Sequence, residues 1–336
     1  MTKYKISEND IILTSEGLRR ADTLGESVIL AHPDGTDTVS DVRRRAGRAA
    51  RIDSRYGHRV VTDATTAKNN SDDLHVNLSE GPYGSGGDID TAFLLGVYAG
   101  SGMGQRSETG FGFYLGAARH DLIEDTTAAV HRVLKGLPEK IHHNVKREPV
   151  FNAHPSGGVH LMSTRLKEFL TVDGEAPQRR YLPNHILASG RDVQLAWLSG
   201  FLRTDAGFVS SPSHRPMVHI GISDKQLPYD LQTMLSTFGV HSIVYGARRD
   251  SSGNPTLWSV RVTRLPHVHA LHDLFDWGKH HEDRWGSIVV QHEGRDYKYK
   301  NTELTVNVTD IQNITSIPLI SVESNKPIIV NGIALV

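Results

Sequence analysis

Two similar apolar segments of the chain each end in a small polar residue, Ser101 in the first and Asp205 in the second. A carboxylate is a ligand that Mg²⁺ favours, whereas a serine hydroxyl is a neutral and weak ligand. Because Ser101 follows Gly96 and Asp205 follows Gly200 at the same spacing, packing the segments side by side would bring the two residues together. This pair is therefore the first candidate for a chemical site in the chain.

Both segments have the pattern of an apolar helix with small residues four positions apart. The first, residues 93–102, contains Gly96 and Gly100, and the second, residues 198–207, contains Gly200. Residues at i and i+4 share one face of a helix, so small side chains there let two helices approach closely. The spacing predicts a close helix pair that carries the two polar residues at one end.

The repetition extends beyond these segments. Each is followed by a stretch that is typical of a strand and then a helix, at residues 112–122 and 217–227. A further strand is predicted in each copy, at residues 158–164 and 257–263, and Arg-Leu follows both times. Repetition at this scale indicates one supersecondary unit that is used twice.

Both segments resemble the LAGLIDADG motif of homing endonucleases, and the downstream patterns resemble the repeat of that family. The resemblance implies two αββαββα units around two packed helices, with residues 88–180 as the first unit and 181–285 as the second. It also implies metal-dependent cleavage of DNA, in which carboxylates at the ends of the motif helices gather Mg²⁺ or Mn²⁺ at the scissile phosphates. The implied catalytic residues are Asp205 and Ser101, and the implied metal ligands are Asp205, Ser101, Gly100 and Thr204.

Serine at position 101 removes one of the two formal charges that such a metal site would have. We therefore predict that cleavage of both DNA strands is impaired or absent. Nicking of one strand by the half of the site that carries Asp205 remains an alternative. Asp205 could also be an ordinary acid that pairs with its neighbour Arg203. A DNA-binding protein of the same fold that does not cut is the alternative function.

The resemblance places the DNA contacts on the strands after each motif, since a two-stranded ribbon fits the major groove. One chain carries both units, which predicts a monomer on a long, asymmetric site in double-stranded DNA. Charges over residues 88–285 nearly balance, so affinity would depend on how the basic residues are sorted in space. The candidate DNA-binding residues are Arg106, Arg119, Lys146, Arg147 and Arg165 in the first unit and Arg215, Lys225, Arg248, Arg249, Arg261 and Arg264 in the second.

Short strands separated by turns predict a small all-β module at the two ends of the chain. Residues 6–33 resemble the first block of an intein, and residues 61–65, 317–323 and 328–336 resemble later blocks. This resemblance implies a Hint-like splicing domain made of residues 1–87 and 286–336, which the LAGLIDADG-like units interrupt. The fold class is thus α+β, and an unrelated β domain remains the alternative for the ends.

Protein splicing needs an activated nucleophile and groups that transfer its proton. Lys5 stands where the intein family has its first nucleophile, and Thr65 replaces a histidine of a later block. The terminal His-Asn pair of the family is absent before Val336. We therefore expect this chain not to splice, and a splicing element whose terminal residues were removed remains an alternative.

The amino-acid composition narrows the classes of protein to which this chain could belong. The 336 residues are 38% hydrophobic and include no cysteine, which excludes disulfides and a thiolate nucleophile. No apolar run reaches the roughly 18 residues of a membrane helix, and the N-terminus lacks a signal-peptide core, so we expect an intracellular, cytoplasmic protein. A net charge of −1 means that a DNA-binding face has to be built locally.

Three further expectations concern local structure. The basic residues 41–51 are predicted as a helix or loop, and the polar residues 72–87 as a linker. Asp90 is predicted to cap the first motif helix.

Overall fold

The structure is a computed structural model that describes residues 2–32, 36–54, 56–78, 81–103, 112–116, 119–135, 150–153, 159–162, 166, 169–172, 176–211, 214–249, 251, 255–292, 305–324 and 326–336. Its helices are α1 (Ala64–Asn69), α2 (Ile89–Ser101), α3 (His120–Lys135), α4 (Asn184–Leu187), α5 (Arg191–Asp205), α6 (Leu227–Thr237), α7 (Leu265–His272) and α8 (Lys279–His292). Its strands are β1 (Thr2–Ser7), β2 (Ile11–Thr14), β3 (Gly17–Arg20), β4 (Ser27–Ala31), β5 (Asp37–Ser54), β6 (Arg59–Thr62), β7 (Asp73–Val76), β8 (Gly102–Met103), β9 (Gly112–Leu115), β10 (Val150–Ala153), β11 (Val159–Met162), β12 (Ala206–Ser211), β13 (His214–Ile222), β14 (Ile243–Arg249), β15 (Pro255–Val262), β16 (Thr305–Ser324), β17 (Ile328–Val330) and β18 (Ile333–Leu335). None of the described helices is long and apolar enough to cross a membrane.

Residues from both ends of the chain build one sheet with the strand order β17-β18-β7-β16-β1-β6-β5-β4-β2-β3. Further pairing of β17 with β2 and of β16 with β5 curls the 10-stranded sheet back on itself. Its interior is apolar, and Ile6, Ile12, Ile52, Leu74 and Val330 are completely buried. This part of the molecule, the β domain, therefore needs both chain ends. Its assignment as Hint-like stays a prediction.

Two local predictions for the β domain are wrong. Residues 41–51 lie within β5, which pairs with β4 and β6 as well as with β16. Val42 and Ala50 are buried there, and such cross-strand packing outweighs local propensity. The stretch 72–87 is not only a linker, because β7 occupies its beginning and buries Leu74 completely.

The middle of the chain contains two units with one order of elements, α2-β8-β9-α3-β10-β11 and α5-β12-β13-α6-β14-β15. In each unit, the first strand pairs with the second, the second with the fourth and the fourth with the third, all antiparallel. The strands predicted at residues 158–164 and 257–263 are confirmed as β11 and β15. The two units therefore have the same strand order.

The ends of two helices differ from the sequence predictions. Asp88 caps α2, since its Oδ1 accepts a hydrogen bond from the backbone N–H of Thr91 at 2.6 Å. The predicted cap, Asp90, lies in the first turn and pairs with Arg132 at 2.7 Å. The predicted domain boundary at residue 285 falls inside α8, which packs on the second unit.

The β domain contacts the second unit through a group of buried histidines. The rings of His58 and His241 are 5.7 Å apart, and the backbone N–H of Val244 donates to the carbonyl oxygen of Tyr56 at 3.0 Å nearby. Burial lowers the pKa of His58 to about 4. Burial, followed by the neighbouring charges of His58, Arg264 and His267, lowers the pKa of His241 to about 3. Both rings are therefore neutral at pH 7.

These histidines predict that the free energy of unfolding falls as the pH drops from about 6.5 towards 4. The folded chain keeps them neutral, whereas the unfolded chain takes up protons below its ordinary pKa of 6.5. Each such histidine contributes up to about 1.4 kcal/mol per pH unit. Asp10 works in the opposite direction, because burial raises its pKa to about 7. Urea unfolding at a series of pH values measures the net slope.

Replacement of exposed and of buried histidines tests the origin of this pH dependence. Replacing exposed His120 by Gln should leave the slope unchanged, while replacing His58 and His241 together by Leu should reduce it. A pH profile that is flat below pH 6.5 in the parent chain would contradict the assignment of neutral buried rings.

Candidate functional site

Helices α2 and α5 pack against each other along a seam of glycines. A Cβ atom placed on Gly96 would overlap the carbonyl oxygen of Trp197, and one placed on Gly200 would overlap that of Phe93. Each glycine therefore lies directly against the backbone of the opposite helix. The close helix pair predicted from the spacing of small residues is confirmed.

The seam ends where Gly100 of α2 meets Thr204 of α5. A Cβ atom on Gly100 would overlap the Oγ1 of Thr204, and that hydroxyl donates to the carbonyl oxygen of Phe201 at 2.6 Å. Ser101 and Asp205 follow directly and are the last residues of the two helices. Both candidate residues therefore lie at the same end of the seam, and both are partly exposed.

The carboxylate of Asp205 forms an ion pair with the guanidinium of Arg180. Arg180 also donates its backbone N–H to the carbonyl oxygen of Ala99, in the last turn of α2, at 3.0 Å. Arg180 thereby connects the ends of both helices. The alternative pairing of Asp205 with Arg203 is wrong, because Arg203 pairs with Asp125 at 2.8 Å.

A second arginine lies on the same end of α5. Nη1 of Arg119 donates to the carbonyl oxygen of Arg203 at 2.7 Å and to that of Thr204. The last carbonyls of a helix lack partners within the helix and carry partial negative charge, so this guanidinium stabilises the helix end. Burial lowers the pKa of Arg119. These contacts give Arg119 a structural role, and its DNA contact stays a prediction.

The residues at the end of the seam do not fit a divalent metal centre. Asp205 is the only carboxylate of the predicted ligand set, and Arg180 neutralises it. The carbonyl oxygen of Thr204 accepts from Arg119, and Ser101 brings no charge. Within the described residues, no group of three acidic or histidine side chains could hold a metal ion. Two guanidinium groups thus take the acceptors that cations would need.

One of the two units matches a known protein family. Residues 192–274, from the start of α5 to just beyond α7, match a family model described as a LAGLIDADG-like domain. We call residues 192–274 the LAGLIDADG-like domain after this match. The matched range contains the second motif helix and all four strands of the second unit, so it includes Asp205.

Relatives of this chain include two ribonucleotide reductase subunits. The chain is 27% identical over 243 residues to ribonucleoside-diphosphate reductase NrdEB subunit alpha of Bacillus subtilis (strain 168), and equally to the nrdEB subunit alpha of Bacillus phage SPbeta. The match includes 68% of this chain and 21% of each relative. The chain therefore spans about a fifth of the length of these curated relatives.

Solved structures with partial likeness include full-length DUF199/WhiA from Thermatoga maritima, with 10% identity over 66% of both chains and a TM-score of 0.39. The homing endonuclease I-DmoI in complex with DNA and Ca has 14% identity over 59% of this chain and 97% of its own, and a TM-score of 0.39. A further I-DmoI complex holds DNA and Mn, with the same identity and TM-score. At these values the likeness assigns no activity to this chain.

The sheet of the LAGLIDADG-like domain has one buried and one partly exposed face. Val218 and Val260 point to the core, so the residues that alternate with them point away from it. His219 and Arg261 form a register pair on this outer face, and the guanidinium carbon of Arg261 lies 4.4 Å from the ring centre of Tyr245. Burial and the nearby Arg261 lower the pKa of His219. The outer face thus combines hydrogen-bonding groups with a positive charge.

The remaining candidate DNA-binding residues are distributed over several regions. Lys225 is exposed after β13, and Arg264 is partly exposed directly before α7. Three candidates lie in strands of the LAGLIDADG-like domain, namely Arg215 in β13 and Arg248 and Arg249 in β14. Four lie outside the described residues, namely Arg106, Lys146, Arg147 and Arg165.

Sequence reasoning missed Arg180, which it placed as the last residue of the first unit. The one local signal is the pair Arg179-Arg180 shortly before α4. His219 and Tyr245 were also missed as partners of Arg261. Their alternation with buried valines and isoleucines along the strands could have placed them on the same face.

Proposed function

We propose that this chain binds double-stranded DNA through the outer faces of its two four-stranded sheets, without cutting it. The single observation that carries the proposal is the cluster of His219, Tyr245 and Arg261 on the outer face of the LAGLIDADG-like domain. Antiparallel strands fit the major groove, where arginine donates to the edge of guanine. An aromatic ring beneath the guanidinium restricts its orientation, which favours a defined contact.

The shared strand order of the two units supports a monomer on a long, asymmetric DNA site. Each unit carries its own sheet, and the two sheets have different sequences, so the halves of the site would differ. The helix seam fixes one unit against the other, since glycines of both helices touch the opposite backbone. An intracellular location follows from the proposed partner.

Metal-dependent cleavage of DNA, the first function expected from the sequence, has less support. The I-DmoI complexes named above contain Ca or Mn together with DNA, but that is a property of those proteins. In this chain Arg180 pairs with Asp205, and Ser101 adds no charge. A non-cleaving DNA-binding protein is therefore the better proposal.

The β domain is, on this proposal, derived from an intein and is inactive in splicing. Two features support this origin. Strands that precede the inserted units and strands that follow them share one sheet, with Lys5 opposite Ser321 in the pairing of β1 with β16. The relatives match over a limited part of a much longer reductase subunit, as an inserted element would. Lys5 offers no hydroxyl or thiol nucleophile, and Thr65 lies in the first turn of α1.

Selection from a pool of random duplexes tests DNA binding directly. Repeated cycles of binding and amplification should enrich a long, asymmetric motif, and affinity for it should fall steeply with salt concentration. Recovery of no common sequence, with affinity equal for all duplexes, would rule out site-specific binding.

Replacing Arg261 by Gln should weaken binding to the selected duplex by about 1–3 kcal/mol. The substitution removes a positive charge and a planar donor from the outer face and leaves the buried face untouched. The matched control is Arg132→Gln, which removes the same charge from α3, where Arg132 pairs with Asp90. Fluorescence anisotropy of labelled duplex measures both, and equal losses for the two variants would contradict the assigned face.

A further inference from the structure

We infer that Arg180 is a built-in counter-ion that holds the end of the seam closed to divalent cations. This inference gives a physical reason why the proposed DNA-binding protein would not cut DNA, and so it rests on that proposed function. The ends of the two motif helices carry an ion pair where the resemblance implies a metal ion. The carboxylate of this ion pair is Asp205, the implied metal ligand itself.

The backbone of Arg180 is fixed in place by α2. Its N–H donates to the carbonyl oxygen of Ala99 at 3.0 Å, and its φ of 58° lies in the left-handed region. A residue other than glycine is disfavoured in this region, so the surrounding contacts have to hold it there. The fold therefore fixes the backbone of Arg180 beside the end of α2, from where its side chain reaches Asp205.

The side chain of Arg180 spans the seam to the end of α5. Its exposed fraction is 21%, and that of its partner Asp205 is 15%, so water only partly screens the pair. A guanidinium cannot be deprotonated in a protein under ordinary conditions, so its charge is permanent. Arg180 therefore neutralises Asp205 at every pH at which the carboxylate is ionised.

The charges at this end do not favour a divalent cation. Asp224, whose charge also acts on Arg180, already accepts hydrogen bonds from the backbone N–H groups of Gln226 and Leu227. Asp205 and Arg180 cancel, and Ser101 is neutral. Arg119 adds a second positive charge close by, because it donates to the carbonyl oxygens of Arg203 and Thr204. A cation would have to displace one guanidinium from a carboxylate and would be repelled by the other. Divalent metal ions prefer carboxylate and carbonyl oxygens, and both kinds of oxygen are already taken here.

The test measures Mn²⁺ binding in the absence of DNA, by calorimetry and by the electron paramagnetic resonance signal of free Mn²⁺. The parent chain should bind Mn²⁺ only weakly. The double variant Arg180→Gln with Ser101→Asp should bind Mn²⁺ at least tenfold more tightly than the parent, because it removes the counter-ion and supplies a second carboxylate. Adding Asp205→Asn to that variant should abolish the gain.

The matched control is Arg179→Gln with Ser101→Asp, which has the same net charge and keeps Arg180. Arg179 is exposed, so its loss leaves the seam intact. This control should stay at the parent level, as should Arg180→Lys with Ser101→Asp, which keeps the cation. Equal Mn²⁺ binding by the control and the Arg180→Gln variant would overturn the inference, as would tight binding by the parent chain.

The same proteins separate this inference from the proposed function. Mn²⁺ binding is measured without DNA, and binding of the parent chain to the selected duplex is measured without metal. If the parent chain does not bind the duplex, only the proposed function is overturned. If Mn²⁺ binding is the same with and without Arg180, only the counter-ion role is overturned. Far-UV circular dichroism establishes that each variant is folded, and the Arg180→Lys variant provides a test that retains the ion pair.

Discussion

Replacing Asp230 by Ala should lower the free energy of unfolding by about 3–5 kcal/mol, the largest effect expected from a single change in this chain. Asp230 lies in α6, and its carboxylate receives Nη2 of Arg20 at 2.5 Å and Nη1 at 3.2 Å. The side chains of Arg20 and Asp230 are only 8% and 2% exposed. Removing the acid leaves a buried guanidinium without its counter-ion.

The ion pair joins the β domain to the LAGLIDADG-like domain, so its loss should uncouple them. Arg20 belongs to β3, and its Nε also donates to Asn184 Oδ1 at 2.7 Å. All four tryptophans, Trp197, Trp258, Trp277 and Trp285, lie outside the β domain, so their fluorescence follows the other part of the molecule. Urea unfolding followed by fluorescence and by far-UV circular dichroism should give one transition in the parent chain and two in the variant.

The double variant Arg20→Met with Asp230→Leu separates charge burial from packing. Replacing both charged partners by apolar side chains of similar size is often neutral or stabilising, because neither charge then has to be desolvated. We expect the double variant to be more stable than either single variant. Equal losses for Asp230→Ala and the double variant would show that shape at this contact, and not the unpaired charge, controls its stability.

Replacing Gly96 or Gly200 by Val should destabilise the chain by about 3 kcal/mol, the upper end of the usual cost of overpacking. Even the first carbon of a side chain at either position would overlap a backbone carbonyl oxygen of the opposite helix. A backbone atom cannot rotate away as a side chain can, so the helices would have to separate. Thermal and urea unfolding of the purified variants measure the loss.

Gly286 provides the matched control for these glycines. It lies within α8, and a Cβ atom there would meet no heavy atom within 4 Å. Gly286→Ala should therefore stabilise the chain by about 0.5–1 kcal/mol, since alanine loses less backbone freedom on folding. Tolerance of Val at both seam positions, with unfolding midpoints unchanged, would mean that the two helices do not touch in solution.

The sequence by itself determined the helix pair and the placement of Ser101 and Asp205 at one end of it. This was within reach because helix faces follow from local spacing, and small residues at i and i+4 mark a close contact. The strands at residues 158–164 and 257–263 were equally predictable from their alternating patterns. The long strand β5 was not, because its basic residues adopt that conformation through pairing with partners far away in the sequence.

Only the tertiary structure decided which side chain pairs with Asp205 at the end of the seam. The sequence offered Arg203 as an alternative partner of Asp205. Residues two positions apart on a helix face different directions, however, and Arg203 pairs with Asp125. Arg180 reaches Asp205 from a separate segment that α2 holds in place through Ala99. No local pattern encodes such a contact, since it depends on how the two units pack against each other.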